Sequence, residues 1–120
     1  MVRRRGTRSI LNHDALVARL GARVHTGQEP ALAQLQLFTE AHTVVGPHGA
    51  GLANLVAMAA GANVVELQAA PFNHCYLLWA LNLDLNYYGH YEPGATHQGA
   101  WAVDLERLLA LPVFEAKSSE

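Results

Sequence analysis

Between Thr43 and Leu67 the chain reads TVVGPHGAGLANLVAMAAGANVVEL. Two short apolar β-branched runs, Val44-Val45 and Val64-Val65, flank a dense group made of Gly46, Pro47, His48, Gly49, Ala50 and Gly51. Short apolar runs bounded by turn residues are the pattern of strands buried on both faces. Thr43 to Gly46 therefore reads as a buried strand and Asn63 to Leu67 as the next one. Gly51 to Met58 reads as a short apolar helix between them, ended by Ala60-Gly61.

The rest of the chain repeats this alternation. Asn12 is placed to cap a helix carrying Ala15, Leu16 and Leu20 at helical spacing, and Gly21 stops it. Arg23-Val24-His25 is a short strand candidate. Pro30 stands in the first turn of a second helix, with Leu32, Leu35, Phe38 and Ala41 as its buried stripe. Asn73 to Leu83 is apolar and helical, Leu85 to Tyr91 is strand-like, Pro93 to Gly99 is a loop, and Leu105 to Leu111 is a last helix. Alternating helices and strands imply an α/β fold with a Rossmann-like three-layer parallel sheet. One domain is expected over residues 1–114, with a polar tail at 115–120.

Composition narrows the function. The 120 residues are 51% hydrophobic and 15% charged, which fits a folded core. The net charge of −2 argues against a general nucleic-acid binder, so no nucleic-acid partner is expected. No run reaches the roughly 18 apolar residues of a membrane span, so no direct membrane contact is expected from this chain. The start, MVRRRGTRSILN, is basic without the apolar core of a signal peptide. The single cysteine, Cys75, excludes an internal disulfide framework, and its apolar surroundings predict an inert buried thiol.

The glycine-rich turn carries the chemistry. Ligands of α/β sheets sit at the carboxyl ends of the strands, and Val44-Val45 ends at such a point. Glycine lets a ligand approach the backbone, and the free amides opening the following helix favour an anion, phosphate above all. Gly49, Ala50 and Gly51 are small enough for this, and His48 adds a side-chain donor. A tight strand-to-helix turn with a structurally bonded histidine is the plain alternative. Glu66 stands one helix later, at the expected end of the next strand, where a carboxylate can accept two hydrogen bonds from a ribose diol; a solvent-facing strand end is the alternative. Arg3, Arg4, Arg5 and Arg8 form either a solvated basic end or an anion clamp, since guanidinium offers a fixed fork of donors to phosphate.

These residues together resemble glycosyltransferase family 61, which includes plant xylosyl- and arabinosyltransferases and O-GlcNAc transferases of the secretory pathway. VVGPHGAGLANL followed by GANVVEL carries the resemblance. Gln34-Leu35 with Leu37-Phe38 and Ala41, and Arg4-Arg5 with Arg8-Ser9-Ile10-Leu11-Asn12, extend it backwards, and it runs on to about Tyr88. The segment after HGAGL departs from the family in lacking proline. The resemblance implies the C-terminal, donor-binding half of a GT-B enzyme, with the N-terminal acceptor domain or a partner subunit missing from this sequence. It also implies inverting transfer from a nucleotide sugar, UDP-linked, to a glycan or glycoprotein hydroxyl. The donor would meet Arg4, Arg8, His48, Gly49, Ala50, Gly51, Asn54 and Glu66. His48 would touch phosphate or sugar and is the one weak catalytic candidate, Glu66 would hold the ribose, and Asn54 would either assist or pack the helix. No cofactor or metal is expected, because cationic side chains and the helix end would replace one. The compartment would be the Golgi or ER lumen in a eukaryote and the cytoplasm in a bacterium.

Other chemistries fit less well. HGAG resembles the oxyanion loop of α/β-hydrolases, but no GxSxG nucleophile is present. The closest histidine pairs, His42/His48 and His90/His97, match no metal-ligand spacing, so the seven histidines read as scattered surface residues. Trp79, Tyr87, Tyr88 and Trp101 read as core and interface residues. A non-catalytic nucleotide-binding or interaction module is the alternative of a different class.

Overall fold

The computed structural model describes residues 1–2, 10–26 and 28–114. The tail at 115–120 lies outside them. Among the described residues four α-helices, one 3-10 helix and three strands follow in order: α1 (His13–Leu20), α2 (Ala31–Glu40), β1 (Thr43–Pro47), the 3-10 helix (Ala50–Ala57), β2 (Asn63–Ala70), α3 (Cys75–Asn82), β3 (Asn86–Thr96) and α4 (Leu105–Leu109). The strands form one parallel sheet in the order β1-β2-β3. Val2 extends the pattern beyond β1: its amide donates to the Val45 carbonyl at 2.8 Å, and it bridges in parallel to His25. Val2 and His25 thus lie in turn beyond the β1 edge of the three-stranded sheet.

Strand periodicity sorts the core into two faces. Val44 and Val64 join Phe38, Leu52, Leu55, Tyr76 and Ala80 under α2, the 3-10 helix and α3. Val45, Val65, Leu67 and Ala69 join Leu16, Leu20, Trp101 and Leu108 under α1 and α4. Three parallel strands between two helical layers make the α/β architecture, and it is compatible with the Rossmann-like reading.

The helix expected at 51–58 spans Ala50–Ala57, with Met58 already extended, and it is wound as a 3-10 helix. Its buried residues explain the choice. Leu52 and Leu55 are three positions apart, and a helix of three residues per turn brings both to one side; Met58, just past its end, is buried in the same cluster. Burying each leucine contributes roughly 1.5–3 kcal/mol.

Several boundaries differ from the sequence reading. In α2 only Phe38 is buried; Leu32 and Leu35 are exposed, and Ala41, just past the helix, is only partly covered. Asn12 precedes α1 but makes no side-chain cap. Its amide instead donates to the Val103 carbonyl at 2.8 Å and accepts from the Val103 amide at 2.9 Å, acting as a strand partner between distant segments. Arg23–His25 contributes a single bridge, not a strand. β3 runs on through Pro93 to Thr96, where a loop was expected. Between the pairs Gln68↔Tyr91 and Ala70↔Thr96, β2 advances two residues and β3 five, so Pro93 and Gly94 bulge out of the ladder. An edge strand tolerates this, because proline's missing N–H faces no partner there.

The bulge is fastened to α4 through Glu92. Its Oε1 lies 2.5 Å from His90 Nε2 and accepts the Asp104 amide at 2.7 Å, and Arg107 reaches Oε2 at 3.1 Å. Burial alone would raise this carboxyl, but the Asp104 amide, His90 and Arg107 together lower it below the ordinary 4.5. A depressed carboxylate adds stability that is full above its unfolded value and is lost as pH falls through the folded one. Glu92→Gln is therefore expected to cost about 1 kcal/mol at pH 7. Urea denaturation should show that gap at pH 7 and its closing as pH falls below 4.5.

Candidate functional site

The site is built where β1 ends. His48 follows the strand directly, and its amide donates to the Leu67 carbonyl at 3.1 Å, so the turn begins while still tied to β2. Gly49 has φ 149° and ψ 179°, a region essentially reserved for glycine. Its carbonyl accepts the Leu52 amide at 3.1 Å and the Tyr76 hydroxyl of α3 at 2.7 Å. Ala50 and Gly51 then open the 3-10 helix. The first amides of any helix lack an intrahelical acceptor, and here they open at the carboxyl end of the sheet.

Beneath the turn lies Glu66, fully buried. It stands inside β2, which continues to Ala70, and not at the strand end expected from the sequence. Three donors reach its carboxylate. His48 Nδ1 is 2.7 Å from Oε2; Gln68 Nε2 donates to Oε1 at 2.8 Å, and the Tyr87 hydroxyl donates to the same oxygen. Burial, and then the bonded carboxylate, push the Tyr87 phenol well above its ordinary range, so it stays a donor. Holding a ribose with this carboxylate would require one of these partners to leave.

Glycines on both neighbouring strands make room for this arrangement. Gly46 and Gly89 are the register partners of Glu66. A Cβ on Gly89 would come within 3.3 Å of the Tyr87 ring, and one on Gly46 within 2.8 Å of Val2 Cβ and 3.2 Å of Leu52. The missing side chains leave room for Tyr87, which bonds the carboxylate, on one strand and for Val2 and Leu52 on the other.

Gln68 connects the carboxylate to the next loop. Its Nε2 also donates to the Asn73 carbonyl at 2.7 Å, and Asn73 Oδ1 accepts the Cys75 amide at 2.8 Å, which starts α3. The His97 ring lies 5.5 Å from that of His48, and its Nε2 accepts the Ala69 amide at 3.2 Å. His48 is therefore walled by Tyr76 and His97 and anchored from below. Its Nε2 has no partner among the described residues, and it is not among the fully buried unpaired atoms. A buried carboxylate that accepts from Nδ1 fixes the ring's tautomer and leaves Nε2 to meet a ligand.

Of the expected site residues, the structure brings together His48, Gly49, Ala50, Gly51 and Glu66. Asn54 is turned aside: its amide donates to Gln34 Oε1 at 3.1 Å, fastening the 3-10 helix to α2. Arg4 and Arg8, with Arg3 and Arg5, lie outside the described residues. Cys75 is exposed, not buried, because Tyr76 and Ala80 take the core-facing positions of α3. The histidines are not surface residues in the main: His13, His25, His48, His90 and His97 are buried. Several of these amphipathic rings rest on aromatic neighbours, His25 on Phe38 and His97 on Trp101. Among the described residues no group of three or more His, Cys, Asp or Glu is placed to hold a metal ion, and no helix is long and apolar enough to cross a membrane. A cavity of about 580 Å3 opens at the amino end of β1, beside Thr43, Phe38 and His25, away from the His48 turn.

Gln68, Tyr87 and Tyr76 were not legible as site residues. Gln68 repeats the side of Glu66 two positions on, which would have marked both as a polar pair on one strand face, had the strand been read past Leu67.

A family model described as Glycosyltransferase 61 matches residues 1–65, more than half of the chain. The match takes in the Arg segment, β1 and the whole glycine turn, and it ends within β2, one residue before Glu66. No curated protein matches the chain. On this match and the turn it contains, the chain belongs to glycosyltransferase family 61.

Proposed function

We propose that this chain supplies the donor-binding half of an inverting glycosyltransferase of GT-B architecture. The observation that carries the reading is the His48–Gly51 turn, set at the carboxyl end of β1 with His48 held on the buried Glu66 carboxylate. In the reaction an acceptor hydroxyl oxygen bonds to the anomeric carbon. The bond from that carbon to the diphosphate oxygen breaks, and its electron pair leaves with the nucleoside diphosphate. The hydroxyl proton passes to a base on the acceptor side. Donors fixed around the departing diphosphate lower the barrier. Here these are the amides of Gly49 to Gly51, His48, and Arg4 with Arg8, and cationic side chains take the place of a metal. The donor is UDP-linked, and the acceptor is a glycan or glycoprotein held by a second domain or subunit.

The test is calorimetric titration of the chain with UDP, GDP, CMP and NAD. UDP is expected to bind, with affinity falling about tenfold in each of His48→Ala and Arg4→Ala, as the loss of a hydrogen bond to a charged group predicts. No binding of any nucleotide by the folded chain would overturn the reading. It would favour an interaction module, for which exposed Leu78, Trp79 and Leu81 on α3 are the specific observation.

A further inference from the structure

We propose that Glu66 is a positioning residue: it holds the His48 ring with the proton on Nδ1, so that Nε2 faces the donor's diphosphate. This rests on the donor-binding reading above and assigns Glu66 a task other than gripping ribose. Three features of the structure carry it. The His48 Nδ1 to Glu66 Oε2 distance is 2.7 Å, while the carboxylate is wholly buried. Its other oxygen is filled by Gln68 and Tyr87, so the carboxylate cannot swing away from His48 without stranding two donors. The His48 backbone is fixed independently by its bond to Leu67, so the carboxylate controls the ring and not the turn.

The chemistry follows from the donor inventory. An ionised carboxylate only accepts, so Nδ1 must donate to it. The neutral ring then presents a lone pair at Nε2. The protonated ring presents an N–H there, with its charge balanced from below by Glu66. A charged N–H makes the stronger bond to a phosphate oxygen, and Glu66 stands against Nδ1 at 2.7 Å to oppose it from below. Glu66 touches neither sugar nor phosphate in this arrangement. It acts through His48.

Glu66→Gln separates this role from a structural one. The amide cannot accept on both sides. If its oxygen keeps Tyr87 and Gln68, its NH2 faces Nδ1 and forces the proton onto Nε2. The neutral ring then offers an uncharged Nε2–H, and with the carboxylate gone nothing balances a charged ring, so the bond to phosphate is the weaker, neutral kind. Nitrogen-15 spectra of the ring in the ligand-free chain read the tautomer directly. The expected result is Nδ1–H in the parent and Nε2–H in Glu66→Gln, with about tenfold weaker binding of UDP. The same loss is expected with 2′-deoxy-UDP and with inorganic pyrophosphate, which lack the diol. Glu66→Asp keeps the charge but withdraws it by one methylene; it should weaken binding similarly, and it serves if Glu66→Gln does not fold.

An unchanged tautomer in folded Glu66→Gln overturns the proposal. So does a loss seen with UDP but absent with 2′-deoxy-UDP and pyrophosphate, which would return Glu66 to the ribose. If the parent binds no nucleotide, the donor reading fails, while the tautomer result still decides the positioning.

Discussion

Glu66→Leu is expected to lower the stability of the chain by about 3–5 kcal/mol at neutral pH, read as a shift of the urea midpoint at unchanged slope. Leucine is close to glutamate in volume, so the cost does not come from a cavity. It comes from the donors left behind. His48 Nδ1 and the Tyr87 hydroxyl lose their acceptor, and Gln68 Nε2 keeps only the Asn73 carbonyl. A buried donor without an acceptor costs about 1–3 kcal/mol. Tyr87→Phe makes the comparison: it removes one donor and leaves the carboxylate with two, and about 1 kcal/mol is expected. If Glu66→Leu cost no more than Tyr87→Phe, the network would not be holding this end of the sheet.

That network also marks how far the sequence could be read. The β1–helix–β2 unit was legible because its cues are local: β-branched pairs, a glycine cluster, and apolar residues between them. So was the end of α1, where Gly21 adopts the left-handed conformation with φ 61°. The parallel sheet followed from alternation alone. The polar layer under the turn was not legible, because it is assembled across three strands. Nothing in VVEL says that Glu66 faces His48, or that Gly46 and Gly89 flank it in register. The 3-10 winding of 50–57 was hidden for a related reason. A spacing of three suits both helix types, and contact with the sheet decides between them. Asn12 and Val103 meet across 91 positions, so no local rule predicts that a good capping residue would be diverted. Local pattern drew attention to His48 and Glu66, but the bond between them and their partners Gln68 and Tyr87 lay beyond its reach.

Gly49→Ala is the substitution expected to damage stability and binding together. At φ 149° and ψ 179° a Cβ is strained whatever space surrounds it. The strain is about 1–3 kcal/mol if the backbone stays where it is. Relaxation is blocked on both sides. The His48 amide is held by Leu67, and the Gly49 carbonyl by the Leu52 amide and the Tyr76 hydroxyl. Any torsion that relieves the alanine must break one of these bonds or rotate the amides that open the 3-10 helix. Stability measured by urea denaturation should fall by about 1–3 kcal/mol, and UDP affinity by tenfold or more. Tyr76→Phe, which frees the carbonyl from α3, should make Gly49→Ala cheaper than it is in the parent, since contacting residues couple. Strict additivity of the two would mean that the turn is not clamped by α3, and that the amides of Gly49 to Gly51 are set by the strand alone.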